Sequence, residues 1–225
     1  MTRLTICVVA LAVVIAGTVV AGAGVRAVNR GSQLIAAAER GDVQAVKSAL
    51  NAGAAIEARD AEKRTALMAA VQKNNLEVAR VLIAAGADVN AKDAIEDSPY
   101  LLAGARGYLD ILRLTLAHGA DLKSANRYGG TALIPASERG HVETVRTLIA
   151  AGVDIDHVND LGWTALLEAV ILGDGGPRHA ECVRLLLAAG ADPNLADGGG
   201  TTPLQHARRA GQVDVARLLE SAGGR

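Results

Sequence analysis

Residues 65–90 read TALMAAVQKNNLEVARVLIAAGADVN, and this stretch contains the pattern that predicts the fold. Thr65 precedes a short apolar segment, and its hydroxyl can accept a hydrogen bond from an unpaired N–H of a first helical turn. Apolar residues then recur at spacings of three and four, which is the period of one helix face. These residues are Leu76, Ala79, Leu82 and Ile83. The stretch therefore predicts two short helices, of which the second ends at Gly86.

The same pattern recurs along the chain at a nearly constant interval. The glycine that opens Gly-Ala-Asp has equivalents at Gly53, Gly86, Gly119, Gly152 and Gly190, in steps of 33, 33, 33 and 38. The hydroxyl residue keeps the same steps, at Thr65, Ser98, Thr131, Thr164 and Thr202. Two independent landmarks with one spacing indicate tandem structural repeats. The longer step indicates an insertion, residues 174–178 (DGGPR), in the fifth unit.

A 33-residue repeat with these landmarks resembles the ankyrin repeat, whose signature is Thr-Pro-Leu-His-x-Ala followed by Gly-Ala-Asp-Val-Asn. Residues 86–90 match the second half of this signature. The resemblance implies an all-α solenoid of about six stacked helix-turn-helix units, joined by extended fingers. Neighbours must stack because one unit cannot close its own core. The predicted units of the domain, residues 29–225, are 29–60, 61–93, 94–126, 127–159, 160–197 and 198–225.

The units depart from the family signature in two ways. The signature histidine is replaced in every unit, by Met68, Leu101, Ile134, Leu167 or Gln205. Pro135 falls inside a first helix, where it should remove a hydrogen bond and distort the turn. First helices are expected to end at residues that tolerate left-handed backbone, namely Asn74, Gly107, Gly140, Gly173 and Gly211.

Composition limits which residues can form the core and which kinds of molecule are expected as partners. The chain has no Phe, one Trp and three Tyr, so the core must be built from Ala, Leu, Val and Ile. The formal net charge of −1 provides no excess of basic residues to neutralise a phosphate backbone, so nucleic acid is not an expected partner. With Cys7 in the leader, Cys182 stands alone in a processed chain, which excludes an intrachain disulfide framework.

Residues 4–25 form an uncharged apolar segment preceded by Arg3. Ala21 and Ala23 have the spacing of small residues that signal peptidase accepts. Residues 1–28 are therefore predicted to be a cleaved signal peptide or an uncleaved anchor, because about 20 apolar residues span a bilayer. The chain resembles small exported bacterial ankyrin-repeat proteins, which favours a periplasmic or otherwise exported domain, anchored in the inner membrane if uncleaved. A domain facing the cytoplasm remains the alternative.

His179 and Cys182 are the strongest candidates for chemistry. They lie three residues apart on one predicted helix, a spacing that can hold zinc or activate a thiol. However, the position of Cys182 is apolar in other units, as at Val78 and Val215, so a packing role is favoured. We therefore predict no catalytic residue, metal or cofactor. A metal- or thiol-dependent protein that uses His179 and Cys182 is the alternative.

The family resemblance implies a non-enzymatic scaffold that binds a protein through its concave face, formed by fingers and first helices. Tyr128 and Trp163 lie in adjacent predicted fingers, and aromatic residues are enriched at binding hot spots. The alternative for Trp163 is that it packs under its own finger. The predicted binding residues of this monomeric scaffold are Leu102, Arg127, Tyr128, Arg139, Trp163, Glu168 and Leu172, with the leucines exposed and the charged residues forming a polar rim.

The leader prediction can be checked with a reporter enzyme that is active only after export, fused directly behind Arg30. Because residues 4–25 have the length and apolarity of an export signal or anchor, the reporter should be active. The control is the same fusion without residues 1–28, which should be inactive. An inactive reporter behind the intact leader would show that the domain stays in the cytoplasm.

Overall fold

The computed structural model describes residues 30–225, and regular secondary structure in this part of the chain is helical throughout. Residues 30–40 form helix α1. The following helices are α2 (Val43–Asn51), α3 (Ala66–Gln72), α4 (Leu76–Ala84), α5 (Pro99–Arg106), α6 (Leu109–Ala117), α7 (Leu133–Glu138), α8 (Val142–Ala151), α9 (Ala165–Ile171), α10 (Pro177–Ala188), α11 (Pro203–Arg209) and α12 (Val213–Ser221). The predicted all-α repeat architecture is therefore confirmed.

Helices alternate between an inner row, with odd numbers, and an outer row, with even numbers. Each inner helix from α3 to α11 contacts the next inner helix, and each outer helix from α2 to α12 contacts the next outer helix. The inner helices α3 to α9 are almost entirely buried, as in α3, where all residues from Ala66 to Val71 are buried. The core is thus one continuous stripe of Ala, Leu, Val and Ile between the two rows. No helix between residues 30 and 225 is long and apolar enough to cross a bilayer, and the predicted segment 4–25 lies outside the described residues.

Hydroxyl residues begin the inner helices as predicted, with one exception. The Thr65, Ser98 and Thr164 hydroxyls each accept a hydrogen bond at 3.2 Å from the backbone N–H three residues later. Thr202 does the same and forms a capping box with Gln205. These bonds satisfy N–H groups that have no partner within their helix.

Thr131 does not cap α7, and the cause is Pro135. A regular helix would pair the Thr131 carbonyl with the N–H of residue 135, but proline has none. The Thr131 carbonyl instead accepts from the Ile134 N–H at 3.2 Å, and α7 begins only at Leu133. The buried Thr131 hydroxyl is left without a hydrogen-bond partner. The predicted distortion by Pro135 is confirmed, and the predicted cap at Thr131 is wrong.

The insertion moves the left-handed turn of the fifth unit. Gly140 ends its unit's inner helix with a φ of +65°, as predicted. In the fifth unit the left-handed residue is Gly175, with a φ of +66°, and not Gly173. The added residues form a loop and lengthen the outer helix α10, which begins at Pro177.

Neighbouring units are joined by hydrogen bonds from one residue at the start of the outer helices α4, α8, α10 and α12, here called the junction residue. Its side chain reaches back to a carbonyl near the end of the inner helix of the preceding unit. The junction residues are Asn75, His141, His179 and Gln212, and the carbonyls belong to Ala38, Ala105, Glu138 and Val170, respectively. His141 and His179 are 38 residues apart, so they are equivalent positions once the insertion is counted.

His179 also connects the insertion to the stack. Its Nε2 lies 2.9 Å from the Glu138 carbonyl oxygen, and its Nδ1 lies 2.7 Å from Asp174 Oδ1. Hydrogen bonds from the Gly176 N–H and from His179 lower the pKa of Asp174. This side chain therefore ties the inserted loop to the preceding unit.

His179→Ala should lower the free energy of unfolding by about 2 kcal/mol, because a buried carbonyl loses its donor. Urea unfolding of the full chain measures this change. His179→Asn should recover part of it, since Asn75 performs the same role in another unit. The control is His118→Ala, because His118 is exposed and bonds only within its own helix. Equal losses of stability in the two alanine variants would contradict a junction role for His179.

Candidate functional site

A groove of about 360 Å³ lies between the inner helices and the fingers of the third, fourth and fifth units. Its floor is formed by residues of α5, α7 and α9 or directly after them, namely Leu102, Ala105, Arg106, Ile134, Pro135, Glu138, Arg139, Glu168 and Leu172. Its finger side is formed by Ile95, Asp97, Asn126, Arg127, Tyr128, Gly130, Asn159 and Leu161. The groove is partly open to solvent, so a chain segment can reach it from the surface.

The structure brings six of the seven predicted site residues into this groove: Leu102, Arg127, Tyr128, Arg139, Glu168 and Leu172. Trp163 is half-buried in its finger and does not line the groove. Two of the six differ from expectation in exposure. Leu102 and Glu168 were expected at the surface, but both are buried, because the neighbouring unit and its finger cover them.

The fingers are held in shape by one carboxylate or amide oxygen each. Asn126 Oδ1 accepts from the backbone N–H groups of Tyr128 and Gly130, at 2.9 and 3.1 Å. Asn159 Oδ1 likewise accepts from Leu161 and Trp163, both at 3.0 Å. Asp60, Asp93 and Asp197 make the same pair of bonds in their fingers. Such local side-chain bonds fix a tight turn, so the residue at each tip has a defined direction.

Three apolar side chains stand at successive finger tips along the groove. Ile95, Tyr128 and Leu161 are 33 residues apart, and they are 50%, 52% and 56% exposed. The equivalent tip residues on either side are Glu62 and Gly199, so the apolar stripe is confined to the third, fourth and fifth units. We name these three residues the tip stripe. Sequence reasoning found only Tyr128, although counting one repeat in each direction from it leads to Ile95 and Leu161.

Arginines surround one carboxylate at the finger side of the groove. The Arg127 guanidinium lies 4.7 Å from the centre of the Tyr128 ring and 3.9 Å from Asp97 Oδ2. Burial raises the pKa of Asp97, and the positive charges of Arg127, Arg106 and Arg139 partly offset this effect. Arg139 also donates to the Ala105 carbonyl at 2.6 Å. The cations of the groove are therefore gathered around Asp97.

Glu168 is the buried carboxylate of the groove floor and is only 6% exposed. Its Oε1 accepts a hydrogen bond from Asn159 Nδ2 at 2.8 Å. Burial raises the pKa of Glu168 to about 7, and repulsion by Glu138 adds to the rise, whereas the Asn159 bond and Arg139 oppose it. At neutral pH this carboxyl group therefore exists in both protonation states, and it can donate or accept a hydrogen bond at its free oxygen.

His179 and Cys182, the residues of the alternative metal or thiol site, are both engaged in the packing of the stack. Both ring nitrogens of His179 face acceptors within the stack, as described above. Cys182 is fully buried, and burial raises the pKa of its thiol to about 11. A thiol in this state is a poor nucleophile, since the thiolate is the reactive form. Within residues 30–225, no three His, Cys, Asp or Glu side chains are grouped closely enough to hold a metal ion.

The raised pKa of Glu168 makes stability depend on pH. The folded state keeps the Glu168 proton up to about pH 7, whereas the unfolded chain releases it near pH 4.5. The protonated carboxyl group therefore contributes fully to the free energy of unfolding below pH 4.5, and this contribution is lost as pH rises through 7. Glu168→Gln keeps the acceptor for Asn159 and cannot lose a proton. The change in free energy of unfolding that it causes, relative to wild type, should be more favourable at pH 8 than at pH 4.5 by on the order of 3 kcal/mol. Urea unfolding at both pH values measures this difference. Glu143→Gln, on an exposed part of α8, is the control, and identical pH profiles for wild type and Glu168→Gln would contradict the effect.

Comparison with known proteins agrees with the repeat architecture. A profile described as ankyrin repeats matches three stretches, residues 11–93, 100–197 and 151–224. No curated protein matches the chain in sequence. A solved ankyrin repeat domain from Acinetobacter baumannii AYE is 64% identical with a TM-score of 0.83, over 85% of this chain and 98% of that one.

Two further solved structures extend this likeness. The ankyrin repeat protein EF0377 is 41% identical with a TM-score of 0.81, over 84% of this chain and 97% of that one. The ankyrin repeat domain of Bcl-3, a member of the IκB protein family, is 30% identical with a TM-score of 0.77, over 86% of each chain. Ankyrin repeats are in general non-enzymatic modules for protein–protein interaction. The profile matches and the stacked units described above show that this chain belongs to the ankyrin-repeat family.

Proposed function

We propose that this protein is a non-enzymatic scaffold that binds one protein partner in the groove of the third, fourth and fifth units. The observation that carries the proposal is the tip stripe. Three half-exposed apolar side chains at successive finger tips face a concave surface, whereas the other two tips are the polar Glu62 and Gly199, which has no side chain. Such a stripe is costly to leave in water, and its burial by a partner is favourable.

The rest of the groove supports the same function. Leu172 of the fifth unit, which is 50% exposed, adds apolar surface to the floor, and the buried Leu102 of the third unit lines the same floor. Exposed arginines, Arg106, Arg127 and Arg139, stand around this apolar centre. An apolar centre with a charged margin is the usual composition of a specific protein interface. The Arg127 guanidinium stacked over Tyr128 holds both residues in one arrangement before a partner arrives.

The proposal includes a location. The apolar segment 4–25 supports delivery of the domain to the periplasm or another exported site, either cleaved or tethered to the inner membrane. A tethered scaffold facing the cytoplasm would use the same groove, so the two arrangements differ in topology and not in the mode of binding. The alternative that His179 and Cys182 carry metal or thiol chemistry has less support, because His179 serves as a junction residue and Cys182 is a buried thiol.

The binding proposal is tested with the full chain as bait in native cell extract, followed by quantitative mass spectrometry. The informative variant replaces two members of the tip stripe, Tyr128→Ser and Leu161→Ser. Both side chains are exposed, so the melting temperature should change little. The partner captured by wild type should fall at least tenfold, because truncation of a hot-spot residue costs about 2 kcal/mol of binding.

The matched control is Val213→Ser, since Val213 is 60% exposed on α12 and lies outside the groove. This variant should capture the partner as wild type does. Equal capture by wild type and by the folded double variant would remove the groove from consideration as the binding site.

A further inference from the structure

We infer that the groove is specific for a partner segment that combines apolar residues with a basic side chain, and that Glu168 receives this basic group. The inference rests on the proposed function and adds the chemistry of the partner to it. The occupant is an extended segment of another protein that lays its apolar residues along the tip stripe and directs a lysine or arginine to the α7–α9 side of the floor.

The first argument is that Glu168 lacks an ion-pair partner, and the charge of Arg139 only partly offsets its burial. Its carboxylate is more than nine-tenths buried, yet it forms no ion pair within residues 30–225. Its hydrogen-bond donor is the neutral amide of Asn159, which occupies one oxygen. A buried carboxylate without a cation costs free energy, and a partner cation placed on its second oxygen offsets that cost.

The second argument comes from the equivalent position in another unit. Asn159 and Glu168 are nine residues apart, and so are Asp197 and His206 in the sixth unit. In the sixth unit the finger carboxylate has a basic partner on the inner helix, because His206 Nε2 lies 2.7 Å from Asp197 Oδ2. In the fifth unit, the acidic member lies on the inner helix and the finger provides an amide instead of a cation. Glu168 therefore occupies a position at which the sixth unit completes an ion pair, but the described chain provides no cation bound to its carboxylate.

The third argument is the distribution of charge around the groove. Arg106 and Asp97 come from α5 and its finger, Arg127 comes from the next finger, and both arginines are in electrostatic range of Asp97. From α7 come Glu138 and Arg139, and α9 contributes Glu168. Arg139 donates to the Ala105 carbonyl, at the end of α5, and forms no ion pair with either glutamate in the described chain.

The α7–α9 side of the groove therefore has two carboxylates against one arginine that is engaged elsewhere. Glu138 and Glu168 repel each other, which a cation between them would relieve. Leu172 lies one helical turn after Glu168, and its N–H donates to the Glu168 carbonyl. A basic side chain that reaches the carboxylates would thus leave the adjoining residues of its segment against Leu172 and Leu161. The two side chains are too few to hold a metal ion, since no third ligand is grouped with them within residues 30–225.

The test is selection from a library of random 12-residue peptides displayed on phage, with the full chain as target at pH 8. Enriched peptides should contain Lys or Arg close to large apolar residues. Synthetic versions of these peptides should bind Glu168→Gln at least tenfold more weakly than wild type, because the acceptor charge is gone. Their affinity for wild type should also fall about tenfold from pH 8 to pH 6, as Glu168 takes up a proton.

The control target is Glu143→Gln, which removes an exposed glutamate on α8 and should bind the peptides as wild type does. Enrichment of acidic or purely apolar peptides, or equal binding of basic peptides to Glu168→Gln, overturns this inference and leaves the proposed function standing. Failure of the double Tyr128→Ser, Leu161→Ser variant to weaken any selected peptide overturns both. Self-association of the chain that the same double variant abolishes would assign the groove to a second copy and would likewise overturn the inference.

Discussion

The contact between neighbouring units is the interaction on which this structure depends. A helix pair of 7 and 9 residues, such as α3 and α4, has too little apolar surface to enclose a core of its own. The core exists only where successive units stack, which explains why α3 is buried almost completely. The stack also needs a defined register, and the junction residues provide it by hydrogen bonds to carbonyls of the preceding unit. Asn75, His141, His179 and Gln212 differ in chemistry, but each presents a donor at the same place.

Departures from the regular pattern are concentrated where the groove lies. Pro135 removes a helical donor and shifts the start of α7, and its ring lines the floor. Glu168 is a charged residue at a buried inner-helix position, where the equivalent residues Ala69 and Leu102 are apolar. Tyr128 is an exposed aromatic residue at a finger tip. Regular capping and apolar packing would be more stable at these sites, and natural proteins break local rules mainly where function requires it.

The rigidity of the fingers links the fold to binding. A finger has no helix or strand to hold it, so the Asx oxygen that accepts two backbone N–H groups determines the shape of the tip. Adjacent fingers are also joined, since the Asp160 N–H donates to the Tyr128 carbonyl at 2.9 Å. Ile95, Tyr128 and Leu161 are thereby arranged before a partner binds, which lowers the entropy that ordering them would cost on association.

The amino-acid sequence by itself determined the repeat, its length, the capping residues other than Thr131, and the distortion at Pro135. These features follow from local chemistry, because a cap or a missing N–H acts within one helical turn. Six of the seven proposed site residues were also identifiable, since repeat spacing places equivalent residues on one face. The role of His179 as a junction residue was not identifiable from the sequence, because the insertion of residues 174–178 displaces it from the 33-residue repeat spacing.

Only the tertiary structure decided which side chains are buried and what they contact. Glu168 has a helical position that sequence reasoning takes as exposed, but the Asn159 side chain of its finger and the adjoining unit cover it. Trp163 lies two residues after Leu161 in the same finger, yet it is half-buried and does not line the groove. Burial and direction depend on the packing of neighbouring units, and a one-dimensional pattern records the spacing of residues but not the surfaces that close over them.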